Sequence, residues 1–255
     1  MPEIGTFPKD WDGKWLLYFE PHSDDFLLNA YSLVRGIWMR GAQYAPAGLT
    51  VVTVSTSEAN RENGLRGIMA KKHSMQFRQI ELGFPDIVWD KATKDKFKAE
   101  KSHTFEEVED QDILDWYNIR VLKRTNYFQL ALQKIIETVG IAANNTLLVF
   151  SPTAPQSAHP FHRMVRCALE NQGRMLWYYI DNPYCIKAGT DIPLVVDRTL
   201  TYNLSEIDRA KKFAMFCEHY SSQYTSQVLW NNAWMLHNDI ERFYTTGFGA
   251  RTREE

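Results

Sequence analysis

The chain has 255 residues, 44% of them hydrophobic and 24% charged, with a formal net charge of −2. A chain of this length buries roughly 70–75% of its unfolded surface and holds a core without staples. Its near-average composition excludes the disordered, collagenous and coiled-coil classes. Twenty-nine basic residues against thirty-one acidic ones leave no bulk charge for gripping nucleic acid or an anionic membrane.

Cys167, Cys185 and Cys217 are odd in number and far apart. They read as reduced thiols of a cytoplasmic protein, not as a disulfide framework or an all-cysteine metal cage. No apolar run approaches the ~20 residues of a membrane span. The opening MPEIGTFPKDWDGK lacks the basic-then-apolar order of a secretory signal.

Short apolar runs predict buried parallel strands at residues 15–20 (WLLYFE), 49–56 (LTVVTVST), 87–89, 146–151 (TLLVFS) and 175–180 (MLWYYI). Residues 194–196, with 199–204 after them, extend the sheet. Helical spacing predicts helices over 26–40, 64–77, 126–139, 162–171 and 206–220, with Gly140 as a C-cap and Ser205 as an N-cap. The alternation predicts an α/β protein: a Rossmann-like, mostly parallel sheet with helices on both faces. One domain is expected over 1–255, with a helical C-terminal segment at 205–245.

Residues 91–115 break this rhythm. Lysines crowd 91–101 and acidic residues crowd 106–115, which reads as a solvated charged insertion. A loop over the site is the sharper alternative, with Trp116 and Tyr117 placed to stack on a ring.

Two clusters carry chemistry. Pro21-His22-Ser23-Asp24-Asp25 follows the first strand and precedes a helix. His159-Pro160-Phe161-His162 follows the fourth strand and again opens a helix. In an open parallel sheet, sites form beyond the carboxyl ends of strands, so both clusters are expected at one crevice. Two imidazoles and a carboxylate, with one position left open, suit a catalytic zinc. His22 and Asp25 lie three apart across a turn, and His162 is the natural third ligand. Asp24, beside a ligand, is free to take a proton from the water held at the open position. Taken singly, a buried histidine or a helix-capping aspartate explains each motif; their joint occurrence after two strands carries the weight.

These residues resemble the PIG-L/LmbE-like zinc-dependent N-deacetylases, whose pattern is PHPDDE early and HPDH later. Leu82-Gly83-Phe84-Pro85-Asp86 resembles the family's LG-x-PD segment. Tyr220-Ser221-Ser222-Gln223 and Glu241-Arg242-Phe243 resemble its C-terminal signals. The resemblance implies an LmbE-like fold and a hydrolase that removes acetyl from the nitrogen of an N-acetylated amino sugar. The sugar is GlcNAc-like and carried on a nucleotide, lipid or small-molecule scaffold. It implies Zn2+, or another divalent first-row metal, held by His22, Asp25 and His162. It makes Asp24 the general base and His159 the oxyanion-stabilising histidine, and it gives Asp86 and Arg66 to the substrate. The implied partner is a small N-acetyl amino sugar or glycoconjugate, with no nucleic acid and no membrane span. Self-association is left open.

Three positions depart from the pattern: Ser23 stands for proline, Phe26 for glutamate, and Phe161 for the aspartate that supports the neighbouring histidine. The alternative reading is a catalytically weakened or inactive sugar-binding homologue. A nucleotide-binding Rossmann protein is disfavoured, because PHSDD occupies the place of G-x-G-x-x-G.

Overall fold

The first strand, β1 (Trp15–Glu20), is buried along its whole length, and so is β2 (Gly48–Ser55). Strands without a polar face belong inside a sheet covered on both sides. The computed structural model describes residues 7–30, 44–55, 76–87, 91–101, 107–143, 146–181, 196–219 and 240–246. Among them lie also β3 (Gln76–Phe84), β4 (Leu147–Pro152), β5 (Trp177–Tyr179), β6 (Val196–Asn203) and β7 (Ile240–Thr246). Together they form one seven-stranded sheet in the order β3-β2-β1-β4-β5-β7-β6. Strands β1 to β5 pair in parallel, whereas β7 runs antiparallel to both β5 and β6. The sheet is therefore mixed and mostly parallel, as the pattern of apolar runs predicts.

The helices are α1 (residues 25–30 of a longer expected helix), α2 (Lys91–Lys101), α3 (Asp110–Trp116), α4 (Tyr127–Ala142), α5 (Pro160–Glu170) and α6 (Glu206–His219). Alternate residues of β1 feed two cores. Trp15, Leu17 and Phe19 join one with α4 and α5, and Leu16 and Tyr18 join the other with α1. The lower end of the sheet shows how tight this packing is. Trp15 pairs in register with Gly48, and its indole donates to the Thr50 hydroxyl at 2.9 Å. A Cβ on Gly48 would sit 2.5 Å from that ring.

Several expectations are corrected. The third strand is 76–84, which takes residues 76–77 from the helix expected over 64–77, and Ile87, the described residue of the strand expected at 87–89, lies outside it. QFRQIELGF mixes polar and apolar residues because β3 is an edge strand and needs no continuous apolar run. LGF thus closes the strand, and Gly83 takes φ 71° where the register with β2 shifts between Thr53 and Ser55. The expected helical segment to residue 245 is replaced at 240–246 by β7, whose pairings reach residues 177–179 and 196–203 and leave no local signature. Helix α4 runs through Gly140 to Ala142. Residues 31–40, 64–75, 88–89 and 220–223, with Arg66 and Cys185, lie outside the described residues.

The charged segment is only half a solvated face. Helix α2 is exposed apart from the buried Phe97 and one half-buried neighbour. Asp110 of α3, by contrast, accepts from Arg163 Nε at 2.6 Å and from Arg166 Nη2, both on α5. The same arginines donate to the carbonyls of Val108 and Thr153. On the other face, buried Lys212 of α6 bridges Glu241 of β7 at 2.8 Å and the Leu28 carbonyl of α1 at 2.5 Å. No helix among the described residues is long and apolar enough to cross a membrane.

Gly48→Ala is expected to lower the unfolding free energy by about 1–3 kcal/mol, the usual cost of overpacking. It would appear as a lower urea midpoint at unchanged slope. An unchanged midpoint would show that the Trp15 ring has room to move aside.

Candidate metal centre

Strands β1 and β4 are neighbours at the middle of the sheet. The helix after β1 packs on one face and the helix after β4 on the other, since Phe26–Leu28 and Phe161–Val165 belong to different cores. The chain therefore diverges between them, and a crevice opens at their carboxyl ends. The turn from β1 into α1 is fastened from below. Pro21 accepts the Ser55 amide at 3.0 Å. The wholly buried Glu20 accepts the Phe26 amide at 3.0 Å and the Thr53 hydroxyl at 2.6 Å. Burial pushes its carboxyl up to about 8, although Thr53 and Phe26 work against the shift. Asp25 in turn accepts the His22 amide at 2.7 Å, which closes the turn.

The crevice brings His22, Asp25 and His162 together. His22 Nδ1 lies 3.0 Å from His162 Nε2, and the two nitrogens stand 3.7 and 3.6 Å from Asp25 Oδ2. A point equidistant from these three atoms is about 2.0 Å from each, the length of a zinc–nitrogen or zinc–oxygen bond. Asp25 and His162 are 4% and 1% exposed, so bulk water does little to screen the cluster.

The outer nitrogens decide what the inner ones present. His162 Nδ1 is 2.8 Å from Asp181 Oδ2, and His22 Nε2 is 3.0 Å from Asp86 Oδ2. With a carboxylate facing each outer nitrogen, the inner nitrogens, His22 Nδ1 and His162 Nε2, are the ones that can offer lone pairs to an ion. Two lone pairs and a carboxylate oxygen then converge, and a cation is what satisfies them. The charge balance agrees. Without an ion His22 carries the positive charge of the cluster itself, because Asp25 and Asp86 outweigh burial and raise the group to about 10; a metal ion would take the place of its inner proton. Burial lowers His162 to about 4. Burial also raises Asp25 and Asp181, the latter well above the usual carboxylate range. Asp181 Oδ1 is buried without a hydrogen-bond partner among the described residues, which again favours positive charge nearby. The donor set fits a divalent first-row ion.

Asp181 was not visible as a site residue in the sequence. The available signal was position: it follows the apolar run of β5, as His22 follows β1, at the same edge of the sheet. Asp86 closes the other side. Its Oδ1 accepts the Ile87 amide at 2.7 Å and lies 4.0 Å from His159 Nδ1. Burial opposes its ionisation, and the His22 hydrogen bond wins and lowers it. His159 caps α5, its Nδ1 facing the Phe161 amide at 3.4 Å, with Pro160 at the first helical position. Burial holds His159 at about 4 despite Asp86, so the ring is neutral at pH 7. Phe161, where the resemblance has an aspartate, is fully buried against Tyr117 and Phe128. Phe26 is likewise buried, edge-on to Tyr18. Asp24 is half-buried beside the buried Asp25 and close enough to bias Asp25 and His162 electrostatically. The structure does not place Arg66.

No family model matches the chain, and no curated protein matches it in sequence. Among solved structures it is similar to a deacetylase of the teicoplanin biosynthesis pathway, crystallised in complex with teicoplanin. That TM-score is 0.53 at 16% identity, covering 91% of this chain and 97% of the other. The 4-carboxy-2-hydroxymuconate hydratase of Pseudomonas putida KT2440 aligns over 95% of this chain and 99% of its own, at a TM-score of 0.43 and 13% identity. The second likeness is too slight to carry an argument, and the first shows a shared fold.

Glu20→Gln keeps the side-chain shape and the acceptor for the Phe26 amide, lets its amide donate to the Thr53 hydroxyl, and removes the titration. A carboxyl raised from 4.5 to about 8 keeps its proton in the folded state where the unfolded state has released it. It therefore costs stability increasingly as pH rises through that window. Relative to the parent, the variant is expected to gain about 3–5 kcal/mol between pH 4.5 and 8 and nothing further above. A difference in unfolding free energy that stays flat with pH would show that Glu20 is ionised throughout.

Proposed function

We propose that the protein is a metal-dependent hydrolase that removes acetyl from the nitrogen of an N-acetylated amino sugar and releases acetate. The observation that carries this reading is the convergence of His22 Nδ1, His162 Nε2 and Asp25 Oδ2 on one point at bonding distance. The fold shared with a deacetylase supports it. The sugar is GlcNAc-like, carried on a nucleotide, lipid or small-molecule scaffold. Residues 1–255 form one such domain, acting in the cytoplasm, with Arg66 as a substrate contact.

A divalent ion held by His22, Asp25 and His162 would polarise the acetyl carbonyl and bring a water molecule near its pKa at neutral pH. Asp24, next to a ligand and itself half-buried, takes the proton of that water as it attacks the carbonyl carbon. His159 contributes as a neutral donor. Its Nδ1 receives the Phe161 amide proton, so its own proton sits on Nε2 and hydrogen-bonds the carbonyl oxygen as that atom gains charge. Asp24 then passes its proton to the departing nitrogen as the carbon–nitrogen bond breaks. The second proton of the water, left on the new carboxyl group, goes to the amine, so acetate and an ammonium remain.

Acetate release from a panel of N-acetylated sugars, nucleotide sugars and glycolipids, with and without a chelator, tests the assignment. Asp24→Asn is expected to lower kcat by about 10²–10⁴-fold while metal content stays that of the parent. Full activity in that variant removes Asp24 from the mechanism. Metal uptake with no acetate from any substrate favours the sugar-binding alternative.

A further inference from the structure

Asp86 follows an edge strand, at the mouth of the crevice, and its surroundings hold it to one task. Oδ1 takes the Ile87 amide and Oδ2 faces His22 Nε2 at 3.0 Å, so both oxygens are engaged before any ligand arrives. Its backbone is pinned too, because the Tyr117 hydroxyl donates to the carbonyl of Pro85. Tyr117 is fully buried, packed on Phe128 and Phe161, and stands at the end of the helix that Arg163 and Arg166 hold through Asp110. A carboxylate anchored through this many contacts reads as part of the scaffold.

A neutral imidazole has one proton for two nitrogens, and the neighbour of one nitrogen decides what the other can do. On His162 that neighbour is the buried Asp181, at 2.8 Å. On His22 no other acceptor is seen at Nε2 among the described residues, and the ring's opposite nitrogen is the one that faces His162 and Asp25. We propose that Asp86 is a positioning residue of the metal centre, holding the His22 proton on Nε2 so that Nδ1 offers a lone pair to the ion. The inference rests on the metal-centre reading above and departs from the sugar-hydroxyl role that the resemblance gives this residue. His22, Asp86 and His159 also form a second three-residue group able to approach a cation. That group is less apt, since His159 Nδ1 is 4.0 Å from Asp86 and is turned to the Phe161 amide.

The test uses the full chain and the metal alone. Co2+ affinity is measured by chelator competition, with the visible absorption of the bound ion as a record of its ligand field, for the parent and for Asp86→Asn and Asp86→Ala. Asp86 is partly exposed, at 29% of its side chain, so both variants should fold, and their melting curves check it. Both are expected to bind Co2+ about 10–100-fold more weakly, the usual effect of losing a ligand's outer partner, with a changed absorption band. At saturating metal, KM for the released acetate's parent sugar should stay within about twofold, since uniform substrate binding is untouched. Unchanged metal affinity together with a raised KM overturns the inference in favour of a sugar contact. A second Co2+ per chain, lost in the variants while the first remains, overturns it in favour of a second ion site. A parent chain that takes up no divalent metal ends both this inference and the proposed function. Metal uptake and acetate release with indifferent Asp86 variants end this inference alone.

Discussion

The short contact between the inner nitrogens of His22 and His162 organises the rest of the centre. At 3.0 Å, two lone pairs repel unless positive charge lies between or beside them. Asp181 and Asp86 engage the outer nitrogens, so the gap between the inner ones is filled either by a second proton on His22, donated to His162, or by a metal ion that displaces it. The contact is possible because β1 and β4 are adjacent and their following helices leave by opposite faces. A ligand from each turn then reaches the same gap from its own side. In a water-poor crevice the pull of such a gap on a cation is several times that in bulk solvent.

Around that gap the protein buries carboxylates that would ordinarily be exposed. Glu20, Asp25 and Asp181 are almost without solvent contact. Each loses hydration, and each is offset by fixed partners: a backbone amide and a hydroxyl for Glu20, an amide and two imidazoles for Asp25, an imidazole for Asp181. Groups held this way are rigid, and rigidity is what a metal centre asks of its ligands and of the residues behind them. The arginines on α5 extend the same logic outward. They fix α3, Tyr117 rides on it, and through the Pro85 carbonyl it steadies the turn that carries Asp86.

The legible parts of the chain are those whose signal is local. WLLYFE and LTVVTVST are apolar on both faces and sit in the sheet interior, flanked on both sides. PHSDD and HPFH stand directly after strands, and their neighbourhood follows from the sheet rule. The antiparallel edge strand β6 was legible at 194–196 and 199–204, whereas the edge strand β3 and the inserted β7 were not. QFRQIELGF needs only one apolar face, and IERFYTT becomes a strand only because β5 and β6 leave a place between them. Asp110 looked like one acidic residue among many, and its pairing with α5 arises across more than fifty residues of sequence. Phe161 looked like a loss from the catalytic set, yet it anchors the core beneath the site.

The amino-acid order alone determined the α/β class, the central strands and which histidines and aspartates stand at their ends. Hydrophobic periodicity and strand-end position act over a few residues, and so can be read along the chain. Tertiary structure alone decided which nitrogen of each histidine faces inward, that Asp181 backs one ring and Asp86 the other, and that His159 is neutral at pH 7. Those properties depend on burial and on the distance to groups tens of residues away, and neither exists until the chain has closed on itself.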